Sequence, residues 1–231
     1  MQDNNREYVK INSLWKRHGC DLEKVDKVFR DTITNKKDFI VGEYSKQEFG
    51  NIKKWHVEEK IDGTNIRVTY KNGSIYIEGR TSAAQLPCHL LHYLQETFTP
   101  EIMQKVFPVE PGDDSMPKVT LFGEGYGPKI QSCGGNYRST PGFILFDVFV
   151  GGWWLKREDV KSIADKIGVP TCPEIGVMEE CEIVEYIKSN PLSLCSKIPH
   201  VMEGVVCRSY PLVLFRDGTP VMWKLKCKDF Q

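Results

Sequence analysis

The chain has 231 residues, 40% hydrophobic and 27% charged, and its formal net charge is zero. That is an ordinary globular composition, long enough for one large domain or two small ones. No apolar run reaches the roughly 18 residues that span a bilayer, and the polar start MQDNNREYVK has no signal core, so a cytoplasmic protein is expected, or one in the host cytoplasm if viral. In chain order, DLEKVDKVFRDTI places Leu22, Val25, Val28 and Phe29 at helical spacing. From Trp55 the pattern becomes β. NIRVTY and SIYIEG flank Asn72-Gly73, the favoured two-residue hairpin turn. Residues 83–107 read as helix, broken at Pro87 and Pro100. Strands are expected at 118–124 and 143–150, helices at 156–167 and 178–189. Two more strands, HVMEGVVCRS and LVLFRDGTPVMWKLK, follow, the second pivoting on Asp217-Gly218. The expected fold is a single α+β domain over 1–231, with mostly antiparallel sheets flanked by helices.

The hairpin turn sets a register. If residue 71 pairs with 74, Asn65 falls opposite Arg80, where cross-strand Cβ atoms lie roughly 4.5–5.5 Å apart. An amide and a guanidinium would then meet beside the turn that carries Lys60, which suits a nucleotide. A bulge would break this register.

Eight cysteines stand at 20, 88, 133, 172, 181, 195, 207 and 227, none as C-x-x-C. Neither a zinc ribbon nor a redox dithiol is signalled. CHLLH at 88–92 lacks the fourth ligand that zinc needs. Zero net charge leaves the partner open, because a local basic groove is enough to hold phosphates. GEGYGP lacks the G-x-G-x-x-G spacing of a dinucleotide loop. Trp153-Trp154, beside Gly151-Gly152, reads as a cap on a core rather than a base-stacking pair.

Charged groups recur at the ends of apolar runs: Glu124 in LFGEGYG, Asp147 in FILFDVF, Glu203 in MEGVV, and Lys224 with Lys226 in WKLK. Together with KIDG at 60–63 they stand in the order of the five motifs of the covalent nucleotidyltransferases, which the chain resembles: DNA ligases, RNA ligases and mRNA capping enzymes. EKIDGTN, GRTSAAQLP, FGEGYGPKIQ and WKLKCKDF are similar to the RNA ligase 2-like enzymes of phages and their relatives. Gly79 departs from that pattern, standing where those enzymes have a lysine, and Asp62 is more usual in DNA ligases and capping enzymes.

The resemblance implies a nucleotidyltransferase (ATP-grasp-like) domain and an ATP-dependent RNA ligase acting in RNA repair. Lys60 would attack the α-phosphate of ATP to give a lysyl-AMP, AMP would pass to an RNA 5′-phosphate, and a 3′-hydroxyl would seal the strand. Lys224 and Lys226 would grip the α-phosphate and help deprotonate Lys60. At a pKa of about 10.4, roughly one lysine in 2,500 is neutral at pH 7. Phe146 would stack on the purine, Glu124 would accept from the ribose hydroxyls, and Glu58 or Glu59 would read the adenine amine. Arg80 and Asn65 would meet the phosphate or the incoming 5′ end, and Gln131 would serve RNA. Glu203 would hold Mg²⁺, for which Mn²⁺ substitutes. The expected partners are ATP and RNA ends or nicked RNA. No C-terminal OB or RNA-binding domain follows the K-x-K motif, so a further domain or partner protein is expected to complete RNA binding. A DNA ligase, a GTP-using capping enzyme, or an inactive binding module of the same fold are the other readings.

Overall fold

The computed structural model describes residues 7–17, 39–108 and 117–231; the helix expected around Leu22–Phe29 lies outside them. The strands are β1 (Asn12–Ser13), β2 (Trp15–Arg17), β3 (Phe39–Tyr44), β4 (Trp55–Lys60), β5 (Thr64–Lys71), β6 (Ser74–Gly79), β7 (Val119–Tyr126), β8 (Gly142–Val150), β9 (Trp153–Trp154), β10 (Glu174–Met178), β11 (Gly204–Ser209) and β12 (Met222–Lys226). The helices are α1 (Cys88–Thr97), α2 (Pro100–Val106), α3 (Gly134–Tyr137), α4 (Arg157–Ile167) and α5 (Glu180–Lys188). Two compact units emerge. One comprises Met1–Tyr8, Ile61–Pro173 and Cys195–His200; the other comprises Val9–Lys60, Glu174–Leu194 and Val201–Gln231.

The first unit is built on an antiparallel sheet of order β6-β5-β7-β8-β9. Its strands alternate with period two. Ile66, Val68, Tyr70, Leu121, Leu145 and Val148 are buried on one face, under Leu90 and Leu94 of α1, Met103 of α2 and Val160, Ile163 and Ala164 of α4. Asn65, Arg67, Thr69, Thr120, Phe122 and Glu124 point to the other face. The β5–β6 turn has φ of 49° at Asn72 and 74° at Gly73, the doubly positive signature of a type I′ turn. Pro87 stands at the N-cap of α1 and Pro100 opens α2 behind its Thr99 cap, where a missing N–H costs nothing.

The second unit holds a sheet of order β1-β12-β11-β4-β10, with β1 parallel to β12 and the other pairs antiparallel. Trp55, Val57, Val205, Cys207, Trp223 and Leu225 line its core face against Ile183, Val184 and Ile187 of α5. The Trp55 and Trp223 rings meet at 5.2 Å and 67°. His56, Glu58, Lys60, Arg208, Lys224 and Lys226 lie on the opposite face, set there by the same alternation.

Several elements differ from the sequence expectation. The strand expected over 212–226 forms only at Met222–Lys226; Leu214 makes a single bridge to Pro220. Pro211 and Pro220 lack the N–H a ladder needs, though Asp217-Gly218 does turn, with Phe215 N–H donating to Thr219 O. The strand expected from His200 starts at Gly204. β10 went unread because Gly176 and a register shift break its alternation. Cys88 and His89 are exposed, and among the described residues no cluster of three or more acidic, histidine or cysteine side chains could hold a metal. No helix among the described residues is long and apolar enough to cross a membrane.

Candidate active site

Lys60 ends β4, directly opposite Gly204 of β11, and Gly204 is in turn opposite Lys226 of β12. The row places two amines on one sheet face with only a glycine between them. A side chain could not replace that glycine: a Cβ on Gly204 would stand 2.0 Å from Leu225 O and 2.7 Å from Lys226 Cα. The preceding residue, Glu203, takes up both amines. Lys60 Nζ donates to its Oε2 at 2.7 Å and Lys226 Nζ lies 2.6 Å from its Oε1. Burial alone would raise the Glu203 pKa, but the charges and hydrogen bonds of Lys60 and Lys226 outweigh it and hold the carboxyl below its usual range. Lys224 lies two residues from Lys226 on the same face, in the row of Val206 and Glu58.

The two glutamates before Lys60 separate cleanly. Glu58 shares the face of Lys60 and is 2% exposed, with Arg208 Nε at 3.2 Å. Glu59 points to the core face, 1% exposed, accepting from Ser193 Oγ at 2.5 Å and Leu194 N–H at 2.8 Å. Glu59, expected to contact the nucleotide, thus faces the core side of the sheet. The W-x-V-x-E alternation of residues 55–59 carried that signal. Arg208 was not anticipated, because its partner lies 150 residues away in the chain.

In the first unit, Asn65 of β5 is the direct cross-strand partner of Glu124 of β7. Asn65 Oδ1 is buried without a hydrogen-bond partner. The expected Asn65–Arg80 pair lies one step past the ladder, which ends at Ile66 opposite Gly79. The register is the one the turn dictates, but β6 stops first and Arg80 is exposed. Gly79 is explained by packing: a Cβ there would meet Ala84 Cβ at 2.7 Å.

Phe146 is the extra residue of a β-bulge. The β7–β8 register steps from Phe122 opposite Asp147 to Gly123 opposite Leu145, and bulges re-aim side chains. Phe146 is half-buried, 4.8 Å from the ring of Tyr8. Tyr8 also packs on Phe122 and donates to Asp147 Oδ2 at 2.5 Å, so Phe146 belongs to the Asn65–Glu124 face rather than to the core. Trp154 packs on Phe122 and Phe149, whereas Trp153 is 75% exposed. Gln131, expected to serve RNA, donates its amide to Gly63 O at 3.0 Å.

A family model described as RNA ligase matches residues 53–224. No curated protein is significantly similar in sequence. Among solved structures, a variant of Naegleria gruberi RNA ligase bound to ATP and Mn is 20% identical at a TM-score of 0.55, over 77% of this chain and 52% of that one. The same ligase with PPi gives 21% and 0.54, over 75% and 49%. Another variant with ATP and Mn gives 20% and 0.56, over 78% and 51%. The chain thus shares the nucleotidyltransferase fold of these ligases while spanning about half their length. With five motif segments in order and the model covering residues 53–224, the chain belongs to the RNA ligase family.

Proposed function

We propose that the chain is an ATP-dependent RNA ligase that works through a lysyl-AMP on Lys60. One observation carries this reading: Glu203 is gripped at once by Lys60 at 2.7 Å and Lys226 at 2.6 Å. An amine nucleophile therefore stands beside a second cation suited to the negative charge that builds at a phosphate. In the resting arrangement the Lys60 amine donates to Glu203, so attack requires Glu203 to be drawn off. Lys60 Nζ then forms a bond to the α-phosphorus as the bond to pyrophosphate breaks, and the amine proton passes to water. AMP moves to an RNA 5′-phosphate as the N–P bond breaks. A 3′-hydroxyl attacks that phosphate and AMP departs.

Glu203 suits a divalent cation. Mg²⁺ keeps most of its water and uses one or two carboxylates with substrate phosphates, so Glu203 together with the ATP phosphates would hold it. Two of the Naegleria structures hold Mn with ATP. A bound cation would supply charge neutralisation at the phosphates and at Glu203.

In the same reading Glu124 accepts from the ribose, Asn65 offers its unpartnered Oδ1, and Phe146 stacks on the purine. Glu58, on the Lys60 face, reads the adenine amine in place of Glu59. Arg80, exposed just past β6, meets RNA phosphate. Incubation with each α-labelled NTP and Mg²⁺ tests the proposal. Label from ATP that survives denaturation and is absent in Lys60→Ala supports it. Label from GTP would make the chain a capping-type enzyme, and no label would leave a binding module. A nicked RNA with a 5′-phosphate then reads the later steps.

A further inference from the structure

A buried tyrosine outside all five motifs holds the turn that follows Lys60. Tyr137 is 1% exposed. Its ring stands edge-on to Tyr126 at 5.8 Å and 87°, and to His200 at 4.8 Å and 87°. Packing on two sides leaves the hydroxyl a defined position, and there it accepts from the Asp62 N–H at 3.2 Å. One residue on, Gly63 O accepts from Gln131 at 3.0 Å. Gly63 is also pressed against β7, where a Cβ would stand 2.4 Å from Gly125 O and 2.7 Å from Glu124 Cγ. The Asp62–Gly63 backbone is therefore held at its donor, at its acceptor and by close approach.

We propose that Tyr137 is a positioning residue for adenylylation: with Gln131 it clamps the Asp62–Gly63 backbone of the turn that directly follows Lys60. This rests on the reading of Lys60 as nucleophile. Misplacing a reacting group by about 1 Å can cost about a hundredfold in rate, and Lys60 is the last ladder residue before that turn. Gln131 belongs to the same device, with its amide spent on Gly63 rather than on RNA.

Tyr137→Phe keeps the ring contacts and removes only the hydroxyl. Losing one hydrogen bond of this kind is expected to slow single-turnover lysyl-AMP formation about three- to tenfold. The KM for ATP should not change. Sealing of RNA that already carries a 5′-adenylyl group should not change either, because that step makes no use of the Lys60 amine. The Asp62 amide should exchange its proton faster by a similar factor, read by NMR on the full chain, while the core strands keep their protection. Gln131→Ala should give the same kinetic profile.

An unchanged Asp62 exchange rate with an unchanged adenylylation rate overturns the proposal. Faster exchange throughout the protein, with both steps lost, also overturns it, since it would mark Tyr137 as a packing residue only. Gln131→Ala losing RNA sealing alone removes Gln131 from the clamp. A wild-type protein that forms no lysyl adduct defeats the reading of Lys60, and Asp62 exchange in Tyr137→Phe still judges the clamp by itself.

Discussion

Gly204 stands directly opposite Lys60 in the β4–β11 ladder, and the space beside it is already filled by the backbone of β12, 2.0 Å from where a Cβ would sit. The glycine of the E-G motif is thus a steric requirement of the two-lysine row. Gly204→Ala must push β12 away and with it Lys226. Overpacking of this kind costs about 1–3 kcal/mol. The expected outcome is a lower urea midpoint and lysyl-AMP formation reduced beyond what the stability loss explains. A variant that matches the wild type in both would remove the steric argument.

Acid sensitivity should follow from Glu203. Lys60 and Lys226 hold its carboxyl below the usual range, so in the folded state it stays charged to a lower pH than in the unfolded chain. A lowered folded pKa contributes stability that is fully present above the unfolded value of about 4.3 and is lost as pH falls through the folded one. Denaturant midpoints between pH 3 and 7 should therefore drop at the acid end. Glu203→Gln should flatten that limb while lowering stability at pH 7, where it leaves two amines facing each other.

Much of this was legible in the sequence because it depends on local rules. Asn72-Gly73 dictated the β5–β6 register, and the structure keeps it from Lys71 opposite Ser74 to Ile66 opposite Gly79. Lys60, Gly204 and Lys226 fall in one row because the lysine, E-G and K-x-K motifs sit at strand ends, and Glu203 directly precedes that row. What escaped depends on pairing between distant segments. Arg208 reaches Glu58 only once β11 is laid beside β4, and no local pattern states that. Tyr137 sits in a four-residue helix after two glycines, too short to show a period. Phe146 read as one apolar residue in a run, since the bulge that singles it out needs the partner strand β7. Glu59 is the exception: its parity with Trp55 and Val57 was readable.

Phe146 gives a prediction that separates stacking from packing. It is half-buried in a bulge and touches the ring of Tyr8, so Phe146→Leu should leave thermal stability close to the wild type. Base–aromatic stacking contributes about 1–3 kcal/mol. The expected effect is a KM for ATP in self-adenylylation raised roughly five- to 150-fold, by the same figure converted. Phe146→Tyr should recover most of the affinity. A large stability loss with unchanged KM would return Phe146 to the core.

The buried pair on the Lys60 face gives the sharpest stability test. Arg208 and Glu58 are 5% and 2% exposed, with Nε and Oε2 at 3.2 Å. Removing one partner of such a pair leaves an uncompensated buried charge and costs about 3–5 kcal/mol, whereas removing both with residues of similar volume is often neutral. Arg208→Met should therefore be destabilising, because it removes the guanidinium that lies 3.2 Å from the buried Glu58 carboxylate. Glu58→Gln with Arg208→Met should regain most of the loss in a double-mutant cycle read by urea denaturation. The functional readouts should not follow stability. If Glu58 reads the adenine amine, the restored double variant still lacks a carboxylate there. Its preference for ATP over GTP in lysyl labelling should narrow although its fold is sound, and a double variant as selective as the wild type would place the base elsewhere.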